Sequence, residues 1–342
     1  MIHQLLNTLY VQSQGAYVHL HQDTVRVEIE GQVRLQVPMH HLGGLAVFGN
    51  VLLSPFLIHR FAEEGRFITW FSLSGHFQGR LQGPTAGNVL LRVAQYEARR
   101  DERRTLHLGR RFVAGKIRNA RQVLLRGQRE REDPPSGTPE AIHELRNILR
   151  QLEAVSSLDA VRGLEGQAAL MYFQAFASLV TGEIGLNGWM GRSRRPPRDP
   201  LNALLSFAYA LLINDCAAAC EGVGLDPQVG YLHTLRPGRP ALALDLAEEF
   251  RPALADRVVL ALINRRQIGP GDFETRPGGA VQLTEKGRRT FLEAYQRRKQ
   301  EEVVHPLFKQ RVPIGLLPHI QARLLARYLR GDAPDYVPFQ VR

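Results

Sequence analysis

The sequence predicts an α+β protein, with a small β-rich domain at residues 1–86 followed by a larger, mostly α-helical domain at 87–330. Three observations predict it. Apolar and polar residues alternate with period two in the early segments, as half-buried strands require. From Asn88 the period lengthens to that of a helix, with Leu91, Ala94, Gln95 and Ala98 at helical spacing. The chain has 342 residues, 44% apolar and 23% charged, which is enough for about two domains of ordinary globular composition.

The first strands read as Tyr17 to His21 and Val25 to Glu30, with Gln22 and Asp23 between them. After Gly31, Val33 to Val37 alternates again and stops at Pro38. These are antiparallel strands with one wet face. A short helix is expected from Ser54 to Glu64, closed by Gly65, and then a strand from Phe67 to Leu73. Gly75, Gly79, Gly83 and Pro84 mark turns. A basic helical region follows as far as Arg131, and Pro134, Pro135 and Gly137 then form a loop. Helical patterns resume at Glu140 and continue to about Tyr328. Residues 331–342, with Pro334 and Pro338, read as an irregular C-terminal tail. No repeat of a length typical of solenoids is present.

Lys and Arg number 44 against 33 Asp and Glu, a net charge of +11 that favours a polyanionic partner. Met1 to Leu5 offer no basic stretch leading into an apolar one, so no signal peptide is expected. The most apolar run, Pro200 to Asn214, contains Asn202 and Ser206 and is closed by Asp215, so it reads as a core helix too short to span a bilayer. Nucleic acid is therefore the expected anion, with no membrane partner. The only two cysteines, Cys216 and Cys220, sit in the same apolar segment; they read as core residues of a reduced, cytoplasmic protein.

Three positions carry candidate chemistry. Glu165 lies inside the apolar stripe Val161, Leu164, Ala168, Ala169, Tyr172, Phe176 and Leu179. A carboxylate there costs several kcal/mol unless it pairs with a buried arginine or binds a cation. Gly166 beside it allows close approach of a ligand or backbone. His233 precedes the turn Arg236-Pro237-Gly238-Arg239-Pro240; it can meet an anion, bind a metal, or simply satisfy a backbone carbonyl. Asp245, Glu248 and Glu249 have i, i+3, i+4 spacing and so are expected on one helix face, either gathered around a cation or solvated and offset by Arg251. A set of Glu, His and a further acid suits Mg²⁺ or Mn²⁺ better than zinc. In a basic protein that set points to phosphodiester chemistry.

Arg99, Arg100, Arg103 and Arg104 open a basic run that continues through Arg110, Arg111, Lys116, Arg118, Arg121, Arg126 and Arg129 to Arg131. Few acids interleave, so contact with a DNA backbone is expected rather than a solvated helix face. Arg194 and Arg195, in the loop Arg192 to Arg198, and Arg236 and Arg239 extend that surface. Asp199 followed by Pro200 is a helix cap, not a catalytic acid. Gly278 and Gly279, Val281 to Leu283 and the helix from Thr284 can mimic a winged helix-turn-helix, the basis of a competing reading as a non-catalytic DNA-binding regulator.

Four blocks carry a family resemblance. Glu165-Gly166-Gln-Ala168-Ala169-Leu-Met-Tyr172 resembles the E-G-x-A-A-x-x-Y motif of the CRISPR-associated spacer-acquisition integrases. Asp199 to Tyr209, Gly224 to His233 and Arg239 to Pro252 resemble the family's following blocks in order, and Gly49-Asn50-Val51 and Gly87 to Gln95 match upstream. The resemblance runs from about Tyr10 to about Gln310 and is strongest to the type I-C version. It implies Glu165, His233 and Glu248 as ligands of Mg²⁺ or Mn²⁺, with Glu248 where some members carry Asp. It implies Asp245 as an accessory acid and Tyr209 as a neighbour of the site. It implies a β-sandwich-like, dimerising N-terminal domain and a helical catalytic domain. Its partners would be a second copy in a homodimer, a small ferredoxin-like acquisition subunit, DNA, and a nuclease that trims fragments. Its activity would be attack by a captured fragment's 3′-OH on a CRISPR repeat, with cutting of branched DNA at the same site.

Overall fold

A computed structural model describes residues 7–81, 83, 89–131, 133, 135–184, 189, 191–193 and 196–341. Its N-terminal part contains β1 (Thr8–Val11), β2 (Tyr17–His21), β3 (Thr24–Ile29), β4 (Gln32–Pro38), β5 (Gly44–Phe48), β6 (Leu52–Leu53), α1 (Pro55–Glu63), β7 (Phe67–Phe71) and β8 (Phe77–Arg80). These form two four-stranded sheets, β4-β3-β2-β6 and β1-β5-β7-β8. The meander β2-β3-β4 is antiparallel, as the alternation requires. In the second sheet β1, β5 and β7 run parallel and only β8 is antiparallel. Every residue of β5 is buried, so it shows no alternation and escapes a period-two search. Leu45 and Val47 join Val18, Val25, Val27 and Ile68 in a core shared by the two sheets, whereas Ala46, Phe48 and Phe71 belong to the core of the helical part. Gly79, expected in a turn, lies in β8.

The helical part follows as expected. It comprises α2 (Val89–Arg100), α3 (Glu102–Arg129), α4 (Thr138–Ala154), α5 (Leu158–Ser178), α6 (Pro200–Val223) and α7 (Ala241–Phe250), then a π-helical segment at Arg251–Asp256 and α8 (Arg257–Asn264). A hairpin of β9 (Phe273–Thr275) and β10 (Val281–Leu283), α9 (Glu285–Gln300), a second hairpin of β11 (Glu302–Val304) and β12 (Arg311–Pro313), and α10 (Leu317–Leu329) complete it. The β9-β10 hairpin packs against α6 and α9. Phe48 meets the ring of Phe207 in α6, and the Thr69 hydroxyl donates to Asn214 Oδ1 at 3.2 Å, so the second sheet lies directly on the helices.

Helix α6 is capped by Asp199, whose Oδ1 accepts the Asn202 N–H at 2.8 Å, and Pro200 sits in its first turn as expected. It runs 24 residues, longer than its apolar core suggested, because Asp215 and Glu221 are tolerated inside it by Lys299 and Arg80. By length and composition it could cross a membrane, but 72% of its most apolar window is buried in the fold, where it packs against α7 and α10. Cys216 and Cys220 are free, buried thiols on this helix.

The structure corrects two expectations. Helix α3 is exposed only in part. It packs against α4, α5 and α7, and several of its cations are tied to internal acceptors. Arg111 pairs with Asp335, Arg110 donates to the Val155 carbonyl, and Arg131, just past the helix, donates to the carbonyls of Ser178 and Leu179 at 2.9 and 2.7 Å. Residues 331–341 are irregular, but they are not loose. Tyr336 and Phe339 are fully buried, Asn119 donates to the Phe339 carbonyl at 2.9 Å, and the Val341 N–H donates back to Asn119 Oδ1 at 2.9 Å. Gly115 makes this docking possible, because a Cβ there would lie 2.8 Å from Pro338.

Candidate active site

Four segments meet at one buried cluster of charge. Helix α3 supplies Lys116, α5 supplies Glu165, the loop before α7 supplies His233, and α7 supplies Asp245 and Glu248. The Lys116 ammonium contacts Glu165 Oε1 and stands 2.7 Å from Glu248 Oε2. His233 Nε2 lies 3.7 Å from Glu248 Oε1. Glu165, His233 and Glu248, from three separate stretches of chain, are thus brought together.

Asp245 stands behind the histidine. Its Oδ1 is 2.6 Å from His233 Nδ1 and accepts the His233 N–H at 2.9 Å. Its Oδ2 accepts the N–H groups of Tyr231 at 2.5 Å and Leu232 at 3.0 Å. One fully buried carboxylate therefore fixes the loop and the ring together. In the neutral tautomer that donates Nδ1–H to Asp245, the Nε2 lone pair faces the site. Gly230 lets the loop close, because a Cβ there would lie 2.6 Å from both the Ala241 backbone and Asp245 Oδ2.

Burial pushes the Glu248 carboxyl up. The Arg251 guanidinium, with Lys116 and His233, outweighs burial and brings it down to about 2. Arg251 Nη1 donates to Glu248 Oε1, and its guanidinium lies 5.1 Å from the centre of the Tyr209 ring. Tyr209 therefore stands beside the arginine and makes no bond to the acids of the site. Its hydroxyl donates to Asp256 Oδ1 at 2.7 Å, and the Tyr172 hydroxyl donates to Asp256 Oδ2 at 2.8 Å.

Glu249 leaves the face it was expected to share with Asp245 and Glu248. It is one residue, about 100° of helix, beyond Glu248, and it binds the C-terminal segment through the N–H of Phe339 at 2.7 Å and the Tyr336 hydroxyl, and α10 through the amide of Gln321 at 2.9 Å. None of the three acids is solvated. Gly166 is exposed, with nothing within 4 Å of a Cβ placed there.

Lys116 and Asp256 are the residues that sequence reasoning misses. Lys116 passes as one more cation of the basic run, although it is the single lysine among those arginines. For Asp256 the available signal is Tyr172, which closes the glutamate motif two turns after Glu165. Burial pushes the Asp256 carboxyl up to about 6, against the pull of the two tyrosine hydroxyls. The folded protein thus holds a proton there up to about pH 6, where an unfolded aspartate has lost it by about pH 4. Between those values the native state binds more protons, so stability falls as pH rises, by roughly 2–3 kcal/mol from this group. Asp256→Asn is expected to flatten that fall between pH 4 and pH 6 relative to wild type. Urea melts across this range check it, and parallel curves for the two proteins would contradict it.

Of the arginines assigned to DNA, Arg100, Arg103 and Arg236 are exposed and Arg99 is half-buried. Arg104 donates to the Leu329 carbonyl at 3.2 Å and lies 5.6 Å from the Tyr328 ring centre, and Arg239 reaches the Thr234 carbonyl at 3.5 Å. Arg194 and Arg195 lie outside the described residues.

Among the described residues no three acid, histidine or cysteine side chains stand as a ready cation cage. The donor chemistry nevertheless fits a hard divalent cation. Glu165 and Glu248 already share one cationic group, Glu248 Oε2 is buried against that ammonium, and the Nε2 face of His233 is adjacent.

A strand-rich part lies on a helical one whose centre gathers two carboxylates, an imidazole braced by aspartate, and a buried arginine. Sequence comparison shows the family: residues 9–297 match the family of CRISPR associated protein Cas1, and the chain belongs to that family. It is 52% identical to "CRISPR-associated endonuclease Cas1 1" of Moorella thermoacetica over the full length of both chains. It is 40% identical to a "CRISPR-associated exonuclease Cas4/endonuclease Cas1 fusion" of Geobacter sulfurreducens, covering 98% of this chain and 60% of the fusion. Among solved structures, the Cas1 protein TM1797 of Thermotoga maritima superposes with a TM-score of 0.81 at 25% identity, covering 95% of this chain and 97% of that one. Two structures share the fold at 22% identity. A casposase bound to integration product has a TM-score of 0.84, over 97% of this chain and 92% of that one. A Cas6-RT-Cas1–Cas2 complex has 0.82, over 100% of this chain and 36% of that one.

Proposed function

We propose that this protein is a divalent-metal-dependent endonuclease and integrase of CRISPR adaptation, joining the 3′-OH of a captured DNA fragment to the CRISPR repeat. The observation that carries the reading is the meeting of Glu165 and Glu248 at one cationic group, with the His233 Nε2 face beside them. These three residues would hold Mg²⁺ or Mn²⁺, which when bound neutralises and polarises the phosphodiester. Asp245 keeps His233 in the tautomer that presents Nε2, and Arg251 keeps Glu248 ionised inside the fold. In the reaction the fragment's 3′ oxygen bonds to the repeat phosphorus, the bond to the repeat's own 3′ oxygen breaks, and the proton lost by the attacking hydroxyl is made good on the leaving oxygen through water.

Arg100, Arg103 and Arg236 supply exposed, sequence-neutral phosphate contacts. The family resemblance supports a homodimer working in the cytoplasm with a small ferredoxin-like subunit and a fragment-trimming nuclease, and the Cas4/Cas1 fusion and the Cas1–Cas2 complex support partnership with other CRISPR-associated proteins. A type I-C assignment rests on the wording of the sequence blocks alone. A nuclease that mainly resolves branched DNA would use the same site; a DNA-binding regulator would need no such gathering of acids. The test is a labelled fragment, a repeat-containing plasmid and Mn²⁺. Joined product that disappears in EDTA supports the integrase, cutting of branched DNA without joining supports the resolvase, and binding without either supports the regulator.

A further inference from the structure

We infer that Lys116 is a built-in counterion of the catalytic centre: its ammonium holds the cation's place between Glu165 and Glu248 in the metal-free protein and yields it when the cation binds. This rests on the metal-dependent reading of the same site. Lys116 is only 7% exposed, on the inward face of α3 between Gly115 and Ile117. A lone charge so deeply buried would be costly, and here it touches both carboxylates proposed as metal ligands. The residue type fits the task. An ammonium is a compact point charge on a flexible stem and can sit at one point between two oxygens, where the planar fork of an arginine would not. Its 2.7 Å approach to Glu248 Oε2 is a close ion contact.

The two carboxylates depend on it unequally. Glu248 also has Arg251, whereas Glu165 makes no other hydrogen bond or ion pair among the described residues. Without Lys116, Glu165 would have no direct ion pair and only the longer-range pull of Arg251 until a metal arrived. A divalent ion and an ammonium cannot share that gap, because charges a few ångströms apart repel by several kcal/mol at protein-like dielectric. Binding must therefore be an exchange. The Glu165 side chain is 25% exposed, which opens the gap to solvent and gives the ion a way in. Anchored on α3, the displaced ammonium remains close to the reacting centre as a second positive charge.

The experiment uses the full-length protein and Lys116→Met. Mn²⁺ alone is titrated into each by calorimetry, and melting is followed in EDTA and in MnCl₂. The variant is expected to bind Mn²⁺ about tenfold or more tightly, since no resident charge competes. It is expected to melt well below wild type in EDTA and to recover most of the difference in Mn²⁺. Equal or weaker Mn²⁺ binding, or a deficit that Mn²⁺ leaves unchanged, overturns the inference and makes Lys116 a structural pairing only. A second measurement needs no variant: reductive methylation of wild-type Lys116, read by mass spectrometry, is expected to accelerate when Mn²⁺ is added, and an unchanged rate with Mn²⁺ bound overturns the exchange. Absence of Mn²⁺ binding to wild type as well as variant would instead overturn the metal reading on which it rests.

Discussion

Glu165→Gln is expected to abolish strand transfer and nicking, with a loss of about a thousandfold or more, while DNA affinity stays within about twofold of wild type. The substitution removes one charge and almost no volume. Among the described residues Glu165 has one direct ion-pair partner, Lys116, and a partly exposed side chain, so the fold has little else to lose. The cation it would help to hold stabilises charge on a five-coordinate phosphorus that exists only in the transition state. Glu248→Ala is a poorer probe, because it also strands Arg251, and removing one partner of a buried pair costs about 3–5 kcal/mol of stability. Full activity in Glu165→Gln would remove the residue from the catalytic set. Weakened binding with normal chemistry at saturating DNA would move it to the DNA surface.

The second large effect is expected from Asp245→Ala. Three backbone N–H groups and the His233 ring lose their acceptor in a place no water reaches easily. Buried donors left unsatisfied cost about 1–3 kcal/mol each, and partial relaxation of the loop brings the total for the four down to roughly 3–5 kcal/mol. Activity should fall to the level of His233→Ala, because the ring would lose both its tautomer and its position. Denaturant midpoints and the strand-transfer rate check the two halves separately. A variant that melts like wild type would show that Asp245 is not the clasp of this loop.

Much of this site is legible in the amino-acid sequence alone, because its chemistry is concentrated in short stretches of distinctive wording. Glu165, His233, Asp245 and Glu248 each lie in a block that resembles the family, and the structure gathers them. The antiparallel meander is legible because one face of each strand is wet. Strand β5 is not, since burial on both faces erases the alternation. Lys116, Arg110 and Arg111 mislead for one shared reason. Sequence shows charge but not its direction, and a long helix through the middle of a domain can turn its cations inward onto carboxylates and carbonyls. The C-terminal segment misleads similarly. Its prolines signal irregular backbone correctly, but isolated aromatics such as Tyr336 and Phe339 carry no period from which burial could be read.

The central claim is that Glu165, His233 and Glu248 hold one divalent cation. Anomalous diffraction from crystals of the full-length protein grown with MnCl₂ tests it most directly. The account expects one strong peak bonded to a carboxylate oxygen of Glu165, a carboxylate oxygen of Glu248 and Nε2 of His233, with Lys116 displaced from between the carboxylates and each bond close to about 2.2 Å. A Mn²⁺-soaked structure with no peak at these residues, and with the Lys116 ammonium still seated between Glu165 and Glu248, would contradict it.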